Sequence, residues 1–276
     1  MSRRFFGGRW IDQRERLLAK GTGIGGSPHP PPFSPRPSPF SDGAITIPAF
    51  DEGMSRLIYG FGTRSAVTVG SRETGVHLQT VAVRQVHGAE ILLLERRMTD
   101  AEVREASRSK GYDGIVTDRP GTFVSIRTAD CVPILVMDPD HRVVAAVHAG
   151  WRGTVRRIAG RVVQLMQERF GCKLSSIRAA IGPSIGRCCY EVDDPVLLPL
   201  KENFPYWRDV VEETRSGRAQ FDLRRLNQRQ LEDSGVEATQ IAVVNVCTAC
   251  HPELFYSYRR DGQGTNHMTS GIALVE

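Results

Sequence analysis

The sequence contains no apolar run approaching the roughly 20 residues that a bilayer-spanning helix needs. Its N-terminus, MSRRFFGGRWIDQRERLLAK, lacks an apolar core followed by a small-residue cleavage site, so it does not read as a signal peptide. A cytoplasmic location with no membrane partner is therefore expected. The body of the chain also lacks a charge excess. The net charge of +5 is concentrated at the start: residues 1–45 hold seven Arg/Lys against three Asp/Glu, leaving 29 against 28 in the remaining 231 residues. A nearly neutral body gives no global electrostatic ground for binding nucleic acid. No internal repeat is visible.

What is present is ordinary globular composition, 40% hydrophobic and 24% charged, in a chain long enough for one large domain or two small ones. Seven prolines fall between Pro28 and Pro39. Proline removes a backbone donor, and this stretch has little apolar surface, so residues 1–43 are expected to be a disordered or extended tail without a sheet ladder. Residues 44–276 carry no second linker and are expected to form a single domain.

Within that body, AITIPAF, RLIYGFGT, EILLLE, DGIVTD and SSIRAAIGP read as short strands, and VAVRQVHG reads as a strand ending at His87. Residues 99–110 are polar and helical in pattern. TVRRIAGRVVQLMQERFG places Val155, Ile158, Val162, Leu165, Met166 and Phe170 on one stripe, with Gly171 as the stop. DLRRLNQRQLEDSG is a helix with Asp222 as N-cap and Gly235 beyond its end. IAVVNVCT reads as a buried strand, and SYRRDG as a strand sending Arg259 and Arg260 to opposite faces. Strands outnumber helices and many are directly linked, which favours mixed α/β or α+β over a doubly wound parallel sheet.

PILVMD and VVAAVHAG read as a hairpin with its turn at Pro139-Asp140. That turn sets Met137 opposite Arg142 and, at the open end, Cys131 opposite His148. Directly opposed residues have Cβ atoms about 4.5–5.5 Å apart, close enough for thiolate and imidazole to share an ion or meet. His87, followed by a glycine, is a third candidate. Two histidines and one cysteine with a free fourth position match the composition of a catalytic zinc site. By spacing alone, a buried inert thiol with two rim histidines is the simpler account. The other cysteines, Cys172, Cys188, Cys189, Cys247 and Cys250, are expected to be small buried hydrophobes. CTACH at 247–251 matches a haem-attachment pattern formally, but c-type haem needs export. A structural zinc there would need Cys188 and Cys189 as further ligands, by an unforced coincidence.

QVHG, DGIVTD, RTADCVPIL, VHAGWRGT, IGPSIGRCCYEV and CTACHPELFYSYRRDG occur in this order. Together they resemble the laccase-domain, or multicopper polyphenol oxidase, family, which includes proteins known as peptidoglycan editing factors and as purine nucleoside phosphorylases. The likeness spans residues 55–270. It implies a mixed-sheet α/β sandwich shared with Cys–His toxin deamidases. It implies one zinc ion on His87, Cys131 and His148, these three being catalytic, with Arg64 of YGFGTR near substrate or phosphate; of the adjacent Arg259 and Arg260, Arg259 is the residue expected to join Arg64 in balancing phosphate charge. Two segments depart from the family pattern, SAVTVGSRETGVHLQ and GTNHMTSGIAL, and both concern the substrate pocket rather than the metal triad. Several copper centres would require paired His-x-His motifs; the seven histidines include none, so laccase chemistry is not expected.

The resemblance implies a zinc-dependent purine nucleoside phosphorylase acting on inosine, guanosine, adenosine or methylthioadenosine with phosphate, together with adenosine deaminase activity. A metal-free Cys–His amide hydrolase, with Cys131 as nucleophile and His148 as base, is the alternative, acting on a peptidoglycan precursor. A non-catalytic zinc-containing binding protein is the third reading. Neither the oligomeric state nor the preferred nucleoside is fixed by the sequence.

Overall fold

The computed structural model describes residues 36–37, 43–47, 50, 57–65, 78–215 and 217–275. The expected tail falls largely outside them, as does most of the SAVTVGSRETGVHLQ segment. In chain order, β1 (Arg36–Pro37) pairs antiparallel with β2 (Ile45–Thr46), and β3 (Leu57–Gly60), β4 (Gln79–Ala82) and β5 (Ile91–Leu94) follow. A helix α1 (Asp100–Ser109) precedes β6 (Gly114–Thr117), β7 (Thr122–Thr128), β8 (Val132–Asp138) and β9 (Val143–Ala149). Then come α2 (Trp151–Val155), α3 (Ile158–Phe170), β10 (Arg178–Ile181), β11 (Glu191–Val192) and α4 (Asp194–Asn203). The chain continues through β12 (Val211–Arg215), β13 (Arg218–Phe221), α5 (Leu223–Asp233), β14 (Ile241–Val243), α6 (Tyr258–Asp261) and β15 (Met268–Leu274).

The architecture is mixed α/β. A six-stranded sheet of order β14-β10-β8-β9-β6-β5 faces a four-stranded sheet of order β3-β15-β7-β4. Both contain parallel and antiparallel pairs. Every residue of β8 and β9 is buried, because each face of these central strands is covered by a different layer. Ile134, Val136, Val143, Ala145 and Val147 pack under α3, α4 and α5. Leu135, Met137, Val144 and Ala146 pack against Val124, Ile126 and Ile272 of the second sheet. Burying an aliphatic side chain of this size contributes about 1.5–3 kcal/mol, so these two strands anchor both halves of the core. No described helix is long and apolar enough to cross a membrane.

Three expectations are corrected here, and one strand is added. The proline-rich stretch does reach a ladder at Arg36–Pro37, in a two-stranded ribbon where a missing donor is tolerated. The helix expected from 154 is two helices, broken by Arg157 at φ 61°; Gly171, at φ 71°, ends the second as expected. SYRRDG is not a strand but the short helix α6, capped by Ser257, whose hydroxyl accepts from the Arg260 N–H. The last strand, β15, went unread in the sequence although it is central in its sheet. Gly271 lies so close to Phe123 that an added Cβ would sit 2.5 Å from the ring, and that requirement breaks the apolar pattern of the strand.

Candidate active site

The β8–β9 ladder pairs Pro133 with His148 and Asp138 with Val143. The turn is therefore two residues longer than Pro139-Asp140, and Cys131 does not face His148 directly. A two-residue slip keeps every side chain on its own face, so the two remain diagonal neighbours at the open end of the hairpin. The position opposite Cys131 falls to Gly150. A Cβ there would lie 3.2 Å from Cys131 Sγ, 3.1 Å from His87 Cδ2 and 3.7 Å from His148 Cε1. The absent side chain leaves a space that all three groups border.

His87 reaches this point from a loop rather than from a strand end, since β4 stops at Ala82. Its φ of 57° is a left-handed conformation that costs a non-glycine residue energy, and Asp113 holds it there. The buried Asp113 carboxylate accepts from the backbone N–H groups of His87 at 2.9 Å, Gly88 at 2.6 Å and Val86 at 3.3 Å. The same carboxylate takes His148 Nδ1 at 2.7 Å, and the Asp113 carbonyl accepts the His148 N–H at 2.7 Å. An ionised carboxylate can only accept, so Nδ1 carries the proton and Nε2 is left as the ligand atom. Burial by itself would raise the Asp113 carboxyl, but the bonds from His148 and Gly88 hold it below its ordinary range.

The donor atoms of His87, Cys131 and His148 all lie within 4.8 Å of one another, and the two imidazoles meet edge to face at 4.8 Å. A four-coordinate zinc ion with bonds of about 2.0–2.3 Å would draw them together by small side-chain rotations. Two imidazoles and a thiolate, with Asp113 orienting one imidazole from behind, fit such an ion. Burial pushes the Cys131 thiol up, yet the charge and hydrogen bond of His148, then those of His87, bring it down to about 6. His148 responds in the opposite sense: burial lowers it, but Cys131 and Asp113 raise it to about 9. The metal-free pair is thus a thiolate beside an imidazolium.

Around the three residues opens a cleft of about 710 Å³, lined by Arg84, Arg127, Arg152, Arg259, Trp151 and Tyr190 among others. That volume suits a small molecule. Arg259 is on this wall; its Nη1 donates to the Glu191 carbonyl at 2.8 Å and its guanidinium lies 5.1 Å over the Tyr190 ring. Arg64 is not on the wall. Its Nε donates to the Phe255 carbonyl at 3.1 Å, and its guanidinium meets Asp261 at 3.5 Å and the Tyr256 ring at 4.4 Å. It braces the 255–261 segment.

Sequence reading passed over several residues of the site. Asp113 stands in the DGIVTD stretch, which reads only as a strand. Asp130 accepts from Thr248 Oγ1 at 2.6 Å, Ser257 Oγ at 3.0 Å and the Arg259 N–H at 2.6 Å, fastening the Arg259 segment beside Cys131. Arg84 lies outside every family motif, whereas Arg127 and Arg152 stand within RTADCVPIL and VHAGWRGT, where the flanking cysteine and histidine drew the reading instead. His267, also on the wall, is held below its ordinary value by burial, then by Arg127 and the two site histidines. It lies in GTNHMTSGIAL, so this departure from the family pattern does reach the cleft. Cys188, Cys189, Cys247 and Cys250 are not the four buried hydrophobes expected: Cys188 and Cys250 are exposed, and the four sulfurs converge on one another outside the cleft.

Residues 66–275 match the family described as multi-copper polyphenol oxidoreductase laccase. A purine nucleoside phosphorylase of Geobacillus stearothermophilus, YlmD, is 40% identical over 202 residues, which cover 71% of this chain and 72% of that protein. An adenosine deaminase, RL5, from an unknown prokaryotic organism is 37% identical over 203 residues, covering 72% of this chain and 77% of its own length. The crystal structure of the Bacillus licheniformis hypothetical protein YfiH superposes with a TM-score of 0.73 at 30% identity, covering 87% of this chain and 98% of that one.

Proposed function

The chain belongs to the multi-copper polyphenol oxidoreductase laccase family, and we propose that it is a zinc-dependent purine nucleoside phosphorylase that also deaminates adenosine. One observation carries the reading: three zinc-competent donors within 4.8 Å of one another at the base of a cleft walled by arginines and aromatic rings. The relatives named as phosphorylase and deaminase support it. The single domain expected over residues 44–276 is part of the same proposal.

Zinc bound by His87, Cys131 and His148 supplies Lewis acidity at the cleft floor. The chain's own groups account for the rest. Arg84, Arg127 and Arg152 offer guanidinium donors to a phosphate dianion. Tyr190 and Trp151 present ring faces to a purine; burial pushes the Tyr190 hydroxyl up, so it stays a neutral donor. Asp113 keeps the proton on His148 Nδ1, which prevents that atom from competing for the ion. Phosphorolysis joins a phosphate oxygen to the anomeric carbon and breaks the glycosidic bond, the purine leaving with the electron pair and gaining a proton. Deamination adds water at the amino-bearing carbon of adenosine and releases ammonia.

A second reading has its own observation. Cys131 lowered to about 6 beside His148 raised to about 9, with Asp113 behind, is also the arrangement of a thiol nucleophile. The experiment that separates them incubates zinc-loaded protein, His87→Ala and metal-stripped protein with inosine or adenosine and phosphate. Free base and ribose 1-phosphate from the zinc-loaded protein alone is the expected result. Zinc binding without turnover of any nucleoside would favour a binding protein. A metal-stripped His87→Ala protein that hydrolyses amides would favour the thiol hydrolase, since a Cys–His dyad does not need His87.

A further inference from the structure

We propose that Cys188, Cys189, Cys247 and Cys250 form a second metal centre, a tetrathiolate site for zinc that ties together two loops behind the cleft. Their four sulfurs lie within 4.8 Å of one another. Cys250 Sγ is 3.6 Å from Cys188 Sγ and 3.4 Å from Cys189 Sγ. A disulfide would place a pair at about 2.05 Å, whereas sulfurs sharing a tetrahedral zinc with bonds of about 2.3 Å stand about 3.8 Å apart. Cys247 and Cys250 have the two-residue spacing of a chelating turn, and Cys188 and Cys189 lie together on the 3₁₀ turn Arg187–Cys189.

Two neighbours suit a negatively charged thiolate cluster. The Gly186 N–H donates to Cys247 Sγ at 3.2 Å. Gly186 also has no room for a side chain: a Cβ would lie 3.1 Å from Cys247 Cβ and 3.2 Å from Cys188 Sγ. Arg224 is buried nearby, its Nη1 donating to the carbonyls of Val244 at 2.8 Å and Val246 at 3.0 Å. Its charge acts first on Asp222, then on Cys247 and Cys188. A buried guanidinium needs a counter-charge, and four thiolates around a divalent ion leave a net charge of about −2. Soft all-sulfur donors select zinc or iron; we assign zinc, with the thiol protons lost to solvent as the four sulfur–zinc bonds form. Cys188 and Cys250 are exposed, which gives the ion a way in.

The centre stands next to the cleft without lining it. Tyr190, on the cleft wall, follows Cys189 directly, and Thr248, which holds Asp130 at 2.6 Å, follows Cys247. A Ser184–Cys247 bridge joins the same two loops.

The test measures metal in the full-length protein, purified under reducing conditions without chelator, by elemental mass spectrometry. Wild type is expected to carry two zinc ions per chain, and His87→Ala and Cys250→Ser one each. Cobalt-substituted wild type, which needs no variant to fold, is expected to give an intense thiolate-to-cobalt charge-transfer band, stronger than one thiolate ligand accounts for. One zinc that is kept in His87→Ala and lost in Cys250→Ser would uphold this centre while removing metal from the proposed active site. One zinc per wild-type chain that is lost in His87→Ala and kept in Cys250→Ser would overturn it. So would a stoichiometric disulfide from Cys250 to Cys188 or Cys189 in the native protein, or iron in place of zinc.

Discussion

The two ends of the β8–β9 hairpin carry the same three residue types in different order. At the open end, Asp113 bonds His148 at 2.7 Å and His148 lies beside Cys131. At the turn, Asp138 bonds His141 at 2.9 Å, and Cys172 also lies against that carboxylate. In the first set the imidazole stands between carboxylate and thiol; in the second the carboxylate stands between imidazole and thiol. The outcomes are opposite. Cys131 comes down to about 6 despite burial, whereas burial, then the hydrogen bond and charge of Asp138, push Cys172 far above the ordinary thiol value. An ionised Cys172 would place two anions in contact; an ionised Cys131 meets a cation whose own charge is secured by a carboxylate behind it. Sequence order of the groups matters less than which one the fold sets in the middle.

Removing the middle group is the strongest way to break this contrast. In metal-stripped protein, the pH profile of Cys131 alkylation, followed peptide by peptide, is expected to have its midpoint at about 6. In His148→Ala the midpoint should rise to about 8.5 or above, the ordinary thiol range. The midpoint is the readout, not the plateau rate, because a more basic thiolate is also the better nucleophile. Zinc affinity at the site should fall by more than about 100-fold, since losing even an outer partner of a ligand costs about 10–100-fold. Cys172 should stay unmodified over the same range in both proteins. A wild-type midpoint near 8.5 would remove the ion pair from the account.

Much of this arrangement was legible in the sequence, and the reasons for the rest are specific. The hairpin, α1, α3 and α5 could be read because their patterns and caps are local: Asp222 does accept the Arg225 N–H at 2.9 Å. Parity brought Cys131 and His148 to one face even though the turn was two residues longer, because an even slip leaves faces unchanged. His87 was named, but its left-handed loop was not, since that conformation depends on Asp113 from another segment. That Arg64 turns toward Asp261 and Tyr256 was not legible, because a motif gives a residue type and not the direction of its side chain. The four cysteines were dismissed because Cys188 and Cys250 are 62 residues apart, and only the parallel approach of two loops at Ser184 and Cys247 joins them.

The outer carboxylates should separate next. Asp113→Asn removes the charge that holds the His148 proton and three backbone N–H groups of the His87 loop. Zinc affinity, measured by competition with a chelator, should drop by about 10–100-fold. Asp138→Asn makes the same chemical change at the other end and should leave zinc affinity unaltered, because no group it touches borders the cleft. Equal losses in the two variants would mean that the effect travels through the hairpin as a whole and that the position of Asp113 confers nothing special.

Asp138→Asn should still register, as the smallest of these effects, in stability. Burial raises the Asp138 carboxyl, but bonds from the His141 backbone, Ser176, Cys172 and the His141 ring bring it below the ordinary value. A carboxyl depressed in the folded chain stabilises it fully above the unfolded value of about 3.9, and that contribution is lost as pH falls through the lower folded value. The variant keeps an acceptor oxygen for the Asp140 N–H, 2.9 Å away in the wild type, and loses only the charge assistance, about 1–2 kcal/mol. Urea unfolding at pH 7 should show that gap, and the gap should narrow below about pH 4 as the wild-type group takes up its proton. Other acids titrate equally in both proteins, so the difference isolates Asp138. A gap that stays constant into acid would mean the charge contributes nothing, and that the turn is held by the shape of its side chains alone.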